Sequence, residues 1–518
     1  MKPKFYMTCA IPYANGEPHI GHAYEVIAAD MIARFKRLDG YDVRFQTGMD
    51  EHGLKIEQAA GKLGITPQAL VDDIAAKFRK LYDDLGITYT DMIRTTEPRH
   101  KERVQKLWNK MLANGDIYLD KYAGWYSVRD EAYFDEGELT DGPGGQKLAP
   151  SGAPVEWMEE ESYFFRLSKY QDKLLDLYTR NPTFIHPKNR VNEVSNFVKS
   201  GLRDLSISRT TFKWGVPVPD APDHVMYVWV DALSNYITAL GYPDESEGSL
   251  MDRYWPADVH MIGKDIIRFH AIYWPAFLMS AGIEVPHRVC AHGWWTNEGE
   301  KMSKSVGNVI DPNELVATYG LDQTRYYMVR EVPYGNDCDF SHAGLIKRIN
   351  SNLANDLGNL AQRSLSMIAK NCGGVVPTKG AYTEADNALL GKAQALLAGS
   401  RVAMDDQALH KMLDLVWEVI GDANRYVDEQ APWGLKKTDP ERMATVLYVL
   451  AETVRYVALL LQPFMPTSMS AMLDQLAVPV DARDFTMLTP EHALVSGTPL
   501  PTPSGIFPRF VEPSEEKK

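Results

Sequence analysis

Residues 5 to 25, Phe5-Tyr-Met-Thr-Cys-Ala-Ile-Pro-Tyr-Ala-Asn-Gly-Glu-Pro-His-Ile-Gly-His-Ala-Tyr-Glu25, restrict the possible folds more than any other stretch. Phe5 to Cys9 is a short apolar run of the kind that fills a buried parallel strand, and Pro12, Asn15, Gly16 and Pro18 forbid its continuation. Helical spacing follows at Ile20, Tyr24, Ile27, Met31, Phe35 and Leu38, so a helix is expected to bury one stripe on the sheet. His19 and His22 lie off that stripe. Three apart in the first turn, they project side by side at a helix N-terminus, where unpaired backbone N–H groups and the helix dipole favour an anion. The spacing differs from the Gly-rich dinucleotide and P-loop fingerprints, so a phosphate here would be met by imidazoles. Two surface histidines on one turn are the bland alternative, and only a second signal decides between them.

That signal is Lys301-Met-Ser-Lys-Ser305, inside the Gly-rich segment from Gly293 to Asn308. Alone, two lysines in a turn are usually a solvated basic loop. A loop able to move with two lysines also suits a departing pyrophosphate. In this order the two motifs resemble the paired signatures of class I aminoacyl-tRNA synthetases.

Composition sets the frame. The 518 residues allow two to four domains, and 45% apolar with 24% charged residues is ordinary for a globular chain. Cys9, Cys290, Cys338 and Cys372 are far apart in sequence and suggest neither a disulfide framework nor a ligand pair, which fits a reducing compartment. The net charge of −14 argues against non-specific coating of nucleic acid, so any RNA contact must be local. With Lys2-Pro3-Lys4 expected to lead straight into the first strand, no signal peptide is expected. No apolar run is expected to approach the length that spans a bilayer.

Along the chain, 42 to 47 alternates as a strand ending in Gly48-Met-Asp-Glu-His-Gly53, which puts acidic and imidazole groups where open α/β sheets bind ligands. A helix through Val104, Leu107, Trp108, Met111 and Leu112 closes at Asn114-Gly115. From about 116 to 225 the texture turns aromatic and turn-rich, as an inserted module would. Strands are then expected at 225 to 230, 258 to 262 and 288 to 291, giving a doubly wound, mostly parallel α/β sheet interrupted by the insertion. Beyond about 345, helical stripes on Leu345 to Met367, Leu409 to Tyr426 and Met443 to Leu461 predict an α-helical bundle. Arg348, Asn352, Asn355, Asn359 and Arg363 project to one stripe of the first of these helices at 100° per residue. Such residues suit bases and phosphates, although a polar rim without a ligand is the commoner outcome.

Thr8-Cys-Ala-Ile-Pro-Tyr-Ala-Asn-Gly16, Tyr227-Val-Trp-Val-Asp-Ala232, Ile262-Gly-Lys-Asp265 with Phe269-His270, Asn359-Leu-Ala-Gln-Arg363 and Asp428-Glu-Gln-Ala-Pro-Trp433 sharpen the resemblance to the methionyl-tRNA synthetase family over nearly the whole chain. The resemblance implies a Rossmann-type catalytic domain in two halves, 1–115 and 226–300, separated by a connective module at 116–225. After it would come a 301–345 loop and linker, a 346–490 anticodon-binding bundle and a 491–518 strap and tail. It also implies ATP-dependent activation of L-methionine and transfer to elongator and initiator methionine tRNA. His19, His22, Lys301 and Lys304 would be catalytic, with Glu25, Arg209, Gly263, Asp265 and His292 joining them around ATP and its Mg²⁺. Asp50 and the Ile11 backbone would take the methionine amino group, and Ala10, Tyr13, Trp229, Ala232, Tyr236, Ile266, His270 and Trp274 would wall its side chain. Asn359, Arg363 and Trp433 would read the anticodon.

Many members of the family hold zinc in the inserted module between paired cysteines. Residues 116 to 225 contain none, and His186 and His224 are too few to replace them, so no zinc is expected and Trp125, Tyr126, Tyr133, Phe134 and Trp157 should pack that module. A cytoplasmic monomer free of membrane is the remaining expectation. The alternatives are a class I synthetase for another apolar amino acid, or a nucleotidyltransferase sharing the His-x-Gly-His pattern. The span 116 to 225 is too short for the editing insertion of the leucine, isoleucine and valine enzymes.

Overall fold

The computed structural model describes residues 2–130, 132–297, 299–302 and 308–512. They fall into two compact units, one of Lys4–Pro18 and Val43–His292, the other of Met1–Pro3, His19–Asp42 and Gly293–Lys518.

The first unit is built on a six-stranded sheet in the order Asp91–Arg94, Asp42–Met49, Lys4–Cys9, Val259–Gly263, Val289–His292, Ile185–His186. Met7 lies opposite Val259 and Met261 opposite Cys290, both in parallel register. This is the doubly wound parallel topology expected from the alternation of strands and helices. Order reverses beside Lys4–Cys9, because one neighbour follows it directly and the other comes 250 residues later, which is where such sheets open a ligand crevice. Gly48 allows the close approach: a Cβ there would stand 2.3 Å from the Ile93 carbonyl oxygen.

Two details differ from expectation. The run 225 to 230 does not form a strand of this sheet. Ala221–Met226 pairs antiparallel in a separate three-stranded sheet, and Val228–Leu233 is helical. An unbroken apolar run has no period, so it fits a buried helical turn as well as a strand. Second, Ile185–His186, within the span read as wholly inserted, adds the sixth strand, with Ile185 opposite Val289.

The inserted module itself is a four-stranded antiparallel sheet of Leu205–Ser206, Glu156–Phe165, Ile117–Ser127 and Ala132–Phe134. Trp125 and Phe134 pack on buried Ala149, Ala153 and Val155. Tyr126 and Tyr133 meet with ring centroids 4.8 Å apart. Trp157 departs from the expected core: it pairs edge-on with Trp125 at 5.4 Å but stays 54% exposed, a cross-strand partner whose other face looks outward.

In the second unit the helix Ile20–Leu38 is buried almost all round, not along a single stripe. Within this unit, Asp30 on that helix receives Arg34 and Arg325, and Lys36 reaches Asp405 at 2.5 Å. The bundle stripes on Leu409–Gln430 are buried as read, while Glu384–Asp405 is a further helix that the sequence did not single out. Pro440–Leu461 corrects the expectation about apolar length. Its 22 residues, with a mean hydropathy of 1.6 over the most apolar window, are long and apolar enough to cross a bilayer, yet 94% of that window is buried inside the fold. A helix apolar on every side is what the centre of a bundle requires.

The first bundle helix is not uniform. Between His342–Arg348 and Asn359–Asn371 lies a π-helical segment, Ile349–Gly358, so a projection at 100° per residue breaks there. Arg348 pairs with Glu331, Asn352 bonds Asp356, and Asn355 receives Arg509, which makes that part of the expected recognition stripe an internally bonded rim. The C-terminal segment docks as expected: Asn350 exchanges hydrogen bonds with the Phe510 backbone at 3.0 and 2.8 Å, and Phe507 is buried.

Candidate functional site

The sheet's C-terminal edge shapes a small cavity lined by Ala10, Ile11, Asp50, Trp229, Ala232, Leu233, Asn235, Tyr236, Ile266 and His270. Ala10 and Ile11 leave the first strand, whose line is prolonged by the Ala10 N–H donating to Met261 at 3.0 Å. Asp50 is fixed by its backbone, accepting from Ala14 at 2.8 Å and donating to Pro12 at 2.9 Å. It carries the one acidic side chain among the described residues that line the cavity.

Also lining the cavity, His270 has a defined proton. Its Nδ1 lies 3.0 Å from the Ile266 carbonyl, which can only accept, so Nδ1–H donates there and Nε2 accepts the Tyr236 hydroxyl at 2.6 Å. Burial lowers the His270 pKa to about 4, against weaker opposing pulls from the Ile266 carbonyl and Asp265. This wall is therefore neutral at physiological pH. Behind it, Trp274 Nε1–H donates to His260 Nε2 at 3.3 Å, which leaves His260 Nδ1–H for Thr8 at 2.7 Å. Burial, and then His270, hold the His260 pKa well below the usual range. The Tyr6 hydroxyl lies between Gln46 Oε1 and the Tyr236 carbonyl, sharing its one proton between them, and Gln46 donates to Asn235 at 2.6 Å.

Of the expected wall, Trp274 and Tyr13 do not line the cavity. Trp274 is fully buried one layer back, its ring 6.0 Å from that of Tyr236, because His260 holds its indole N–H. Tyr13 bridges to Asp50 by backbone and lies under Lys55 Nζ at 5.4 Å. Leu233 and Asn235 take part instead. Helical spacing could have found Leu233, since Trp229, Ala232, Leu233 and Tyr236 recur three and four apart on a short helical stretch, whereas Asn235 lies off that series.

The same edge carries Gly263, Asp265 and His292. A Cβ on Gly263 would sit 2.6 Å from Asp265 Oδ1 and 3.9 Å from His292 Cε1, so the glycine keeps these three groups close together. Arg209 was expected near ATP, but its guanidinium lies between Tyr126, Tyr133 and Tyr227 at 4.7 to 5.6 Å. It is 2% exposed and donates to Ser208 at 2.7 Å, so the inserted sheets and the Ser206 turn hold it.

In the second unit His19 caps the helix, with a reciprocal capping box to His22. His19 Nδ1 accepts from the Gly21 N–H at 3.1 Å and His22 Nδ1 from the His19 N–H at 3.3 Å. The rings stack with centroids 3.8 Å apart. With both Nδ1 atoms accepting, each ring carries its proton on Nε2, and two N–H donors stand together at a helix N-terminus. Gly21 permits this, since a Cβ there would touch the His19 ring at 3.0 Å. Glu25 follows one turn on, half-buried. Lys301 has its backbone in the strand Glu300–Lys301, and Lys304 lies outside the described residues.

Asn359 and Arg363 are one turn apart on Asn359–Asn371. Arg363 donates to Asp428 at 3.1 Å and its Cζ stands 5.7 Å from the Trp433 ring centre. Trp433 is 52% exposed. Its presentation is local: Leu409–Gln430 ends at Ala431, which takes φ +42°, and Pro432 starts a new short helix carrying the indole outward.

No group of three His, Cys, Asp or Glu among the described residues could hold a metal. Where the family's knuckles would lie, Asp130 accepts from Ser127 at 2.9 Å and from Ser151 at 2.5 Å, and Arg129 donates to the Ser151 carbonyl. Hydroxyls on one carboxylate close this turn, and the residues do not fit zinc.

The doubly wound parallel sheet of the first unit and the His19-Ile-Gly-His22 motif of the second are each features of the class I aminoacyl-tRNA synthetases, a class that comparison with known families separates from other proteins sharing the motif. Residues 5–144 and 145–365 match the family described as tRNA synthetases class I (M), and 376–517 match the anticodon binding domain of methionyl tRNA ligase. The chain is 62% identical to the methionine--tRNA ligase of Mesorhizobium japonicum over 99% of its own length and 98% of that protein, and 60% identical to that of Brucella suis over 99% of both. It is similar to the solved Mycobacterium tuberculosis methionyl-tRNA synthetase in complex with methionyl-adenylate, with a TM-score of 0.96, 55% identity and coverage of 98% and 100% of the two chains. The apo form of that enzyme gives 0.90, with 51% identity and 99% coverage of each chain. The chain belongs to the methionyl-tRNA synthetase family.

Proposed function

We propose that the chain performs the family's reaction, ATP-dependent ligation of L-methionine to its tRNA through methionyl-adenylate, with the cavity at the sheet edge as the methionine site. The carrying observation is that one carboxylate, Asp50, lines the cavity together with apolar and neutral polar groups, among them His270, which burial keeps neutral and whose Nε2 accepts the Tyr236 hydroxyl. That combination suits an α-ammonium group at one end and a polarisable thioether at the other.

In the first step the methionine carboxylate attacks the α-phosphorus and pyrophosphate leaves. His19 and His22 supply Nε2–H donors to the oxygens that gain charge, and Lys301 and Lys304 neutralise the β and γ phosphates. Gly263, Asp265 and His292 take the adenosine end, with Glu25 on the turn beyond the histidines. Mg²⁺ travels with ATP, bound by phosphate oxygens and water. In the second step a hydroxyl of the tRNA's terminal ribose attacks the methionyl carbonyl and AMP leaves. Asn359, Arg363 and Trp433 read the anticodon of elongator and initiator tRNA, the indole and guanidinium offering stacking faces to unpaired bases. The chain works as a cytoplasmic monomer without zinc.

ATP–pyrophosphate exchange run with each amino acid separately tests the reading. Methionine alone should support exchange at micromolar to millimolar concentration, and exchange driven by another apolar amino acid would overturn the methionine assignment. Elemental analysis showing one zinc per chain, or a stable dimer in sedimentation, would overturn the corresponding points.

A further inference from the structure

Three fully buried side chains join the two walls of the cavity without lining it. His52, two residues beyond Asp50, places Nδ1 2.7 Å from Asp231 Oδ2. His100, on the helix Pro98–Ala113, places Nε2 2.6 Å from Asp231 Oδ1 and Nδ1 2.8 Å from Thr238 Oγ1. Asp231 lies in the short helix Val228–Leu233 between Trp229 and Ala232, and Thr238 lies two residues past Tyr236. His52, His100 and Asp231 are 2%, 0% and 1% exposed. Burial pushes the Asp231 pKa up, but the charge and hydrogen bonds of His52 and His100 outweigh it and hold it at about 2. Asp231 is therefore a carboxylate at neutral pH and accepts from both rings.

A buried carboxylate is a poor way to gain stability, since well-packed apolar residues do as well, and the best-attested use of such groups is to fix one arrangement among several. Apolar contacts alone let a short helix slide by a fraction of an ångström. Two charge-assisted bonds to opposite oxygens of one carboxylate do not. His52 Nε2 has no hydrogen-bond partner among the described residues, so the ring is tied through its Nδ1 to Asp231. The His52 ring is held edge-on by Trp214 at 5.5 Å.

We propose that His52, Asp231 and His100 are positioning residues for methionine: they set the distance between the Asp50 carboxylate and the helical turn carrying Trp229, Ala232 and Tyr236, so that the amino group and the thioether are held at once. This rests on reading the cavity as the methionine site.

The test is pyrophosphate exchange by the full chain carrying Asp231→Asn, His100→Gln or Thr238→Val, with Asp50→Asn in parallel. Asp231→Asn should raise the methionine KM by about tenfold or more while the KM for ATP stays within about twofold, and His100→Gln should do the same to a smaller extent. A general loss of structure would move both KM values and kcat together, and that result overturns the proposal. So does an unchanged methionine KM in Asp231→Asn and His100→Gln when Asp50→Asn raises it. If Asp50→Asn also leaves it unchanged, the reading of the cavity falls and the proposal with it. Should Asp231→Asn fail to fold, His100→Gln and Thr238→Val decide by the same criterion.

Discussion

The cavity proposed for methionine and the Trp433 cluster both offer aromatic rings beside polar groups, but they are built in opposite ways. In the cavity, Tyr236 and His270 are buried and hydrogen-bonded to each other and to backbone, so their positions are set before any ligand arrives. In the cluster, Trp433 is 52% exposed and the Arg363 side chain 38% exposed, tied through an ion pair with Asp428. A small zwitterion is recognised by enclosure, where every polar group must already be aimed and each misplacement leaves a buried group unpaired. Unpaired bases are recognised by flat faces that must stay accessible, so part of the ordering is left to the encounter.

The contrast predicts where substitutions should act. The largest effect is expected for Asp50→Ala, which removes the cavity's acidic side chain: kcat/KM for methionine should fall on the order of 10²- to 10³-fold, since losing one partner of a buried charge pair costs about 2–5 kcal/mol. Exchange and tRNA charging should fall together, and a loss confined to charging would break the comparison. Trp433→Ala should lower kcat/KM for charging by about 10- to 100-fold, as stacking contributes about 1–3 kcal/mol per base. Exchange without tRNA should be unchanged, and loss of both activities would mark Trp433 as part of the core.

Tyr236→Phe removes one neutral hydrogen bond worth about 1 kcal/mol, so the methionine KM should rise by about fivefold with little change for ATP. Arg363→Lys keeps the charge but loses the planar face over Trp433, and about 0.5–1 kcal/mol of cation–π attraction translates to a two- to fivefold loss in charging.

The smallest effect is expected with pH. His270 binds its proton at about 4 in the fold and at about 6.5 when unfolded. Between these values the unfolded chain binds more protons, so stability falls as pH drops from about 6.5 to about 4 and is flat above. The methionine KM should accordingly be constant from about pH 6 to about pH 8, the range in which His270 stays neutral. A KM that rises in that range would show that the wall carries charge.

Much of this was legible in the residues, though unevenly. The His19 and His22 pair and the outward Trp433 were readable because a proline, a cap and a spacing of three act within one turn. The neutral wall was half readable: His270 and Tyr236 could be named from a resemblance, but not that their bond leaves both uncharged. Asn235 was missed and Trp274 misplaced, because lining a cavity and backing it look alike in sequence. The apolar run at Pro440–Leu461 was underestimated for a related reason: length and hydropathy state what a helix can bury, not what buries it.

The sequence by itself determined the strand, loop and helix that begin the chain, the alternation that yields a parallel sheet, and the stripes that yield a bundle. Each follows from backbone preference and periodicity over a few residues. Only the tertiary structure decided that Asp231 would accept from His52 and His100, partners 179 and 131 residues away, and that Ile185–His186 would close the sheet. It also decided that Arg209 would lie among tyrosines and not at an open edge. Burial and remote pairing depend on which surfaces meet, and no local window of sequence contains both surfaces.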